Sequence, residues 1–212
     1  LMILSDPSLK VFFLTLVAYE DDDLIGMLFA FCGLVPFVIF LVLSILFFVE
    51  RELVYLYSLS GLIVTEVINS ILKKLIKQAR PENSLKPGHG MPSAHSQFVF
   101  FAIIFWSLLL LKKWKNQDKI TVFCSVSGLW ILGCGCVIGR VYLEYHTIPQ
   151  VIVGVMIGSI IGCIWYILYT FISKYLSQLE NIPILKSIGI CHSESLREKG
   201  WNRRKASTEI SQ

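Results

Sequence analysis

Long apolar blocks alternate along this chain with short polar joins. The blocks run from about Leu24 to Val49, Leu53 to Leu72, Pro92 to Leu111, Ile120 to Ile138 and Ile148 to Ile172. Each carries few or no charges and has the length, about 17–25 residues, that a helix needs to cross about 30 Å of hydrocarbon. Strands in isolation cannot satisfy their backbone groups in lipid, so all five blocks are expected to be helices. The pattern predicts an all-α protein, a polytopic transmembrane helical bundle of five strong spans, with room for a short extra helix near the N-terminus. It divides the chain into an N-terminal segment 1–23, a membrane-embedded domain 24–172 and a polar tail 173–212. The acidic run Glu20-Asp21-Asp22-Asp23 has no His or Cys beside it. It reads as a cap on the first helix, where negative charge meets the helix dipole, rather than as a metal site.

Composition narrows the class. With 55% hydrophobic and 16% charged residues, against about 25% charged in soluble domains, the chain is neither an ordinary soluble enzyme nor a disordered segment. Of six cysteines, Cys32, Cys124, Cys134, Cys136 and Cys163 lie in apolar blocks and Cys191 in the tail. That spread suits neither a disulfide framework nor a zinc site, and the residues read as small packing groups. The first apolar block is too long and too far into the chain for a signal peptide.

The net charge of +4 is too small to imply a nucleic-acid partner, but its distribution is informative. Counting spans places Lys10, Lys73, Lys74, Lys77, Arg80, Lys86 and Arg140 on one side of the membrane, side A, and the other twelve of nineteen basic residues on side B. The excess marks side B as cytoplasmic and side A as lumenal. Gly154, Gly158 and Gly162 fall four apart in the fifth block. Such a stripe lets a second helix approach closely, within the bundle or across a dimer.

Three clusters bear chemistry, and all fall on side A. The first is Lys73 followed by Arg80-Pro81. The second is Pro92-Ser93-Ala94-His95. The third is Arg140, then His146, then Gln150. Two arginines and a lysine can hold three or more anionic oxygens, the arginines by bidentate contacts. Ser93 adds a hydroxyl where a helix begins and free N–H groups point outward. Such a site suits a tetrahedral oxyanion such as phosphate. One histidine can attack phosphorus, and the other can protonate the leaving oxygen and then activate water. No Asp/Glu/His set has metal-ligand spacing, and the cations already supply charge stabilisation, so neither metal nor other cofactor is expected.

These motifs resemble the membrane branch of the type 2 phosphatidic acid phosphatases, which share their site with vanadium haloperoxidases. That family's pattern is K-x6-R-P, P-S-G-H and S-R-x5-H-x3-D. The resemblance implies His146 as nucleophile, His95 as general acid, and Lys73, Arg80, Ser93 and Arg140 as phosphate ligands. The segments Gly90–Phe98 and Arg140–Val151 are most similar to the branch acting on dolichyl diphosphate, as are Arg51-Glu52-Leu53 and Gln78–Glu82, the last also similar to chloroplast lipid phosphate phosphatases. This implies hydrolysis of dolichyl diphosphate at the lumenal face of the endoplasmic reticulum membrane, recycling the carrier for N-glycosylation. A phosphatase acting on phosphatidic acid and a non-catalytic polyprenyl-phosphate binder or transporter are the alternatives.

The chain departs from the family at three positions. Gln150 stands where Asp is usual, and can orient His146 but not balance its charge; the dolichyl branch also has Gln. Gly139 stands where Ser is usual, removing a hydroxyl worth about 0.5–1.5 kcal/mol if it bonded phosphate. Ala94 replaces Gly, a mild change. Glu66 lies seven residues before Lys73, on the same helix face, and is expected either to bond Asn69 or to orient a catalytic group. Glu144 lies close in sequence to Arg140 and His146. His89 sits in a loop as lid or surface, and His192 lies in the tail.

Overall fold

The computed structural model describes residues 9–12, 17–20, 22–82, 84, 88–113 and 119–179. Leu9–Phe12 (β1) pairs antiparallel with Val17–Glu20 (β2), Leu9 opposite Glu20. Among the described residues before α1 there is strand pairing and no helix. Six helices follow: α1 Leu24–Cys32, α2 Val35–Glu50, α3 Leu53–Ile76, α4 Ala94–Lys113, α5 Lys119–Tyr142 and α6 Ile148–Leu179. Taken together α1 and α2 form one span, Leu24–Glu50, and among the described residues five spans are long and apolar enough to cross a membrane. The all-α, five-span reading holds, and α6 runs on past Ser173 to Leu179.

Local chemistry explains the helix ends. Asp23 Oδ1 accepts from the Gly26 amide at 2.8 Å, capping α1, as the acidic run suggested. The α1–α2 break follows from Pro36, which cannot donate to the carbonyl one turn back, and from the tight turn in which Gly33 N bonds Phe29 O and Leu34 N bonds Phe31 O. Arg51, Lys77 and Glu144 have φ of 55°, 51° and 55°. Each follows a helix C-terminus in the left-handed conformation that closes helices.

Two compact units are distinguished: residues up to Ile39 with Gly61–Tyr166, and Phe40–Ser60 with the residues from Ile167 onward. In the second, Tyr57 and Tyr169 rings lie 5.4 Å apart and Tyr55 OH donates to Glu50 Oε2 at 3.1 Å. The first unit holds every candidate site residue. Its core includes Val99, Phe100, Ile103 and Cys136. Helix α1 packs on α5 through Phe29 and Tyr142, ring centroids 5.1 Å apart, with Tyr142 OH donating to Asp23 Oδ2 at 3.1 Å.

The glycine stripe of α6 meets α4. A Cβ at 154 would lie 2.7 Å from Ser93 O, one at 158 would fall on Gln97 O, and one at 162 would lie 2.9 Å from Phe101 O. The within-bundle reading of the stripe is the one the fold uses.

Candidate active site

The Arg140–His146 segment is built by a helix end. Tyr145 N and Glu144 N bond back to Arg140 O and Val141 O, a Schellman closure with Glu144 in the left-handed position. His146 N also bonds Arg140 O at 3.1 Å. Arg140 and His146 are thereby locked to one carbonyl, both buried at 2% and 5% exposure. Glu144 itself is exposed and serves as this backbone hinge.

Hydrogen bonding defines the His146 ring. Gln150 Nε2 lies 2.7 Å from Ala79 O, which can only accept, so the amide nitrogen must face that way. Gln150 Oε1 therefore faces His146 Nδ1 at 3.1 Å, and Nδ1 carries the proton. Arg80 Nη1, a donor always, lies 3.2 Å from His146 Nε2 and 3.0 Å from Tyr145 O. Nε2 therefore presents its lone pair. Burial, first, and then the Arg80 guanidinium push the His146 pKa down to about 3, with smaller contributions from Lys73 and Arg140 and an opposing one from the Gln150 bond. Burial and the Arg140 charge also lower that of Arg80. Three cations thus act on one neutral imidazole.

Gln150 ties the motifs together. Its carbonyl accepts from Ser93 N at 3.0 Å. Its side chain reaches Ala79, which is bridged to His89. Ser93 and His95 open α4, with Ser93 fully buried, accepting from Ser96 Oγ at 3.0 Å, and His95 half-buried. Lys73 is half-buried on the last turn of α3. Arg140 Nε and Nη2 are buried without a hydrogen-bond partner, the state expected of a guanidinium shaped for an anion.

Gly139 has a packing reason: a Cβ there would lie 2.9 Å from Phe29 Cβ, so α1 occupies the space a serine side chain would need. Glu66 is exposed, and the Asn69 amide donates to Gln97 Oε1 and Pro92 O rather than to it. His89 is exposed too, while His192 and Cys191 lie outside the described residues. Among the described residues no group of three His, Cys, Asp or Glu side chains could hold a metal ion. Sequence reasoning missed Gln97, which accepts from Asn69 and donates to the Thr65 carbonyl. The signal available was polar side chains at 65 and 69, one turn apart inside an apolar span.

A buried histidine held between Arg80 and Gln150, with Arg140 buried nearby in the chain, lies at the ends of apolar helices long enough to span a membrane. Residues 54–174 match the PAP2 superfamily model, and the chain belongs to that superfamily. It is 36% identical to dolichyldiphosphatase 1 of Dictyostelium discoideum over 87% of this chain and 83% of that one. It is 33% identical to the dolichyldiphosphatase of Saccharomyces cerevisiae (80% and 74%). It is also 35% identical to lipid phosphate phosphatase gamma of Arabidopsis thaliana (80% of each). No solved structure matches.

Proposed function

We propose that this multi-pass membrane protein is a phosphatase that hydrolyses dolichyl diphosphate to dolichyl monophosphate and inorganic phosphate. The observation that carries the reading is the line Arg80–His146–Gln150, which leaves the Nε2 lone pair of a neutral histidine among three cations. The two dolichyldiphosphatase relatives supply the substrate class.

In the proposed reaction His146 Nε2 attacks the terminal phosphorus in line. The bond from phosphorus to the bridging oxygen breaks, and that oxygen takes a proton from His95 as dolichyl monophosphate leaves. A phosphate oxygen is a stronger acceptor than a ring nitrogen, so Arg80 turns its donor to the substrate, joining Lys73, Ser93 and Arg140. His95 then removes a proton from water, which cleaves the phosphorus–nitrogen bond and restores neutral His146. The Nδ1 proton stays on His146 throughout, donated to Gln150 Oε1. The reaction needs no metal, because the cations neutralise the developing charge; a requirement for added divalent ions in chelator-treated protein would contradict this.

The charge bias supports a lumenal site in the endoplasmic reticulum membrane, with 24–172 as the catalytic domain and 173–212 as a cytoplasmic tail. The product would return to the carrier pool for N-glycosylation.

The Arabidopsis relative favours one other reading, a phosphatase acting on phosphatidic acid or similar lipids. Purified protein assayed on both lipids separates the two. Faster hydrolysis of dolichyl diphosphate is expected, and equal or greater activity on phosphatidic acid overturns the assignment. Activity on neither, with binding retained, makes the protein a polyprenyl-phosphate binder. His146→Ala should lower turnover about a thousandfold or more.

A further inference from the structure

A buried amide chain lies beneath the site and belongs to none of the three motifs. Gln97 Nε2 donates to Thr65 O at 2.9 Å. Asn69 Nδ2 donates to Gln97 Oε1 at 2.8 Å and to Pro92 O at 3.3 Å. Its direction is forced, because it begins and ends on backbone carbonyls, which only accept. Thr65, Asn69 and Gln97 are all 0–1% exposed. Polar side chains inside membrane spans are costly and point to function.

What the chain holds is informative. Asn69 lies one turn before Lys73 on α3. Pro92 O belongs to the peptide that joins Pro92 to Ser93, and the N–H of that same peptide donates to Gln150 O at 3.0 Å. The one peptide is therefore pinned at both ends, by α3 through its carbonyl and by α6 through its amide. It immediately precedes α4, whose first-turn amides have no helical acceptor and which carries Ser93 and His95. Gln97 is anchored as well: its amide bonds Ser93 O at 3.0 Å, and the approach of Gly158 leaves its backbone no room to shift.

We infer that Asn69 and Gln97 are positioning residues that set the direction of the α4 N-terminus, and so aim Ser93, His95 and the first-turn amides at the phosphate held by Lys73 and Arg140. This rests on the phosphatase reading above. They touch neither substrate nor reacting atoms, and act by fixing the Pro92–Ser93 peptide.

Asn69→Leu and Gln97→Met keep side-chain volume and remove the hydrogen bonds, so either suffices if the other fails to fold. Both are assayed as purified protein on dolichyl diphosphate, alongside His146→Ala and the double variant, with inhibition by orthovanadate as a mimic of five-coordinate phosphorus. We expect kcat to fall about ten- to a hundredfold in each single variant, KM to change less than threefold, vanadate inhibition to weaken in parallel, and the double variant to be no worse than the poorer single one. Wild-type kcat and vanadate inhibition in a folded single variant, even one with lowered thermal stability, overturns the inference while leaving the phosphatase reading intact. Normal turnover by His146→Ala overturns that reading instead.

Discussion

His146 is kept neutral by where it sits. An ordinary histidine binds a proton near pH 6.5, whereas this one does so only near 3. Between those values the unfolded chain takes up a proton that the folded chain refuses. Acid therefore destabilises the fold through this group, and its contribution is complete only above about pH 6.5. In the proposed reaction a neutral His146 is available as nucleophile across the physiological range, and the acid limb of kcat/KM should lie well below 6.5. Gln150→Asp tests the arrangement. A carboxylate beside Nδ1 should move the acid limb up by about one to three pH units. It cannot donate to Ala79 O, however, so the loop bearing Arg80 loses its tie and kcat should fall about tenfold, equivalent to about 1.4 kcal/mol. A pH–rate profile of Gln150→Asp equal to that of the wild type at every pH would show that the Ala79 contact does not matter. That the family's usual Asp should be the inferior residue here follows from the neighbouring carbonyl, which no inspection of the motif alone reveals.

At the scale of elements, the five spans and the three clusters were legible because each depends on neighbours in sequence: hydrophobic length, caps and basic residues at helix ends. What escaped were contacts between distant segments. Gly139 reads from the motif as a lost hydroxyl, but it is the floor on which Phe29 of α1 rests. Gly139→Ser should therefore lower stability by about 1–3 kcal/mol through overpacking, seen as an earlier thermal transition in detergent, and should not raise turnover. A gain in activity at unchanged stability would restore the phosphate-ligand reading of that position. Glu66 drew attention as an acidic residue inside the apolar stretch of α3, yet Thr65 and Asn69 face the interior, and only the partner helix decides which polar face of α3 is turned inward. The α1–α2 break falls inside what reads as one apolar block, and the pairing of β1 with β2 was not legible because short-range periodicity says nothing about strand partners.

Across the whole molecule the usual arrangement of a soluble protein is reversed. Ile131, Leu75 and Phe48 are more than 70% exposed, whereas Asn69, Gln97, Arg140, His146 and Gln150 are buried. Apolar residues out and polar residues in is the arrangement lipid demands. The proposed topology can be checked by labelling. A membrane-impermeant maleimide should reach His89→Cys only from the lumenal side of sealed microsomes and Lys112→Cys only from the cytoplasmic side; the reverse pattern would turn the proposed site toward the cytoplasm. Gln150 belongs to α6, the last of the described spans, and its bonds to Ser93 N, Ala79 O and His146 Nδ1 help to join the three motifs. On the proposed function, a chain cut before α6 keeps Lys73, Arg80, Ser93, His95 and Arg140 but lacks these ties, and should not hydrolyse phosphorylated lipids.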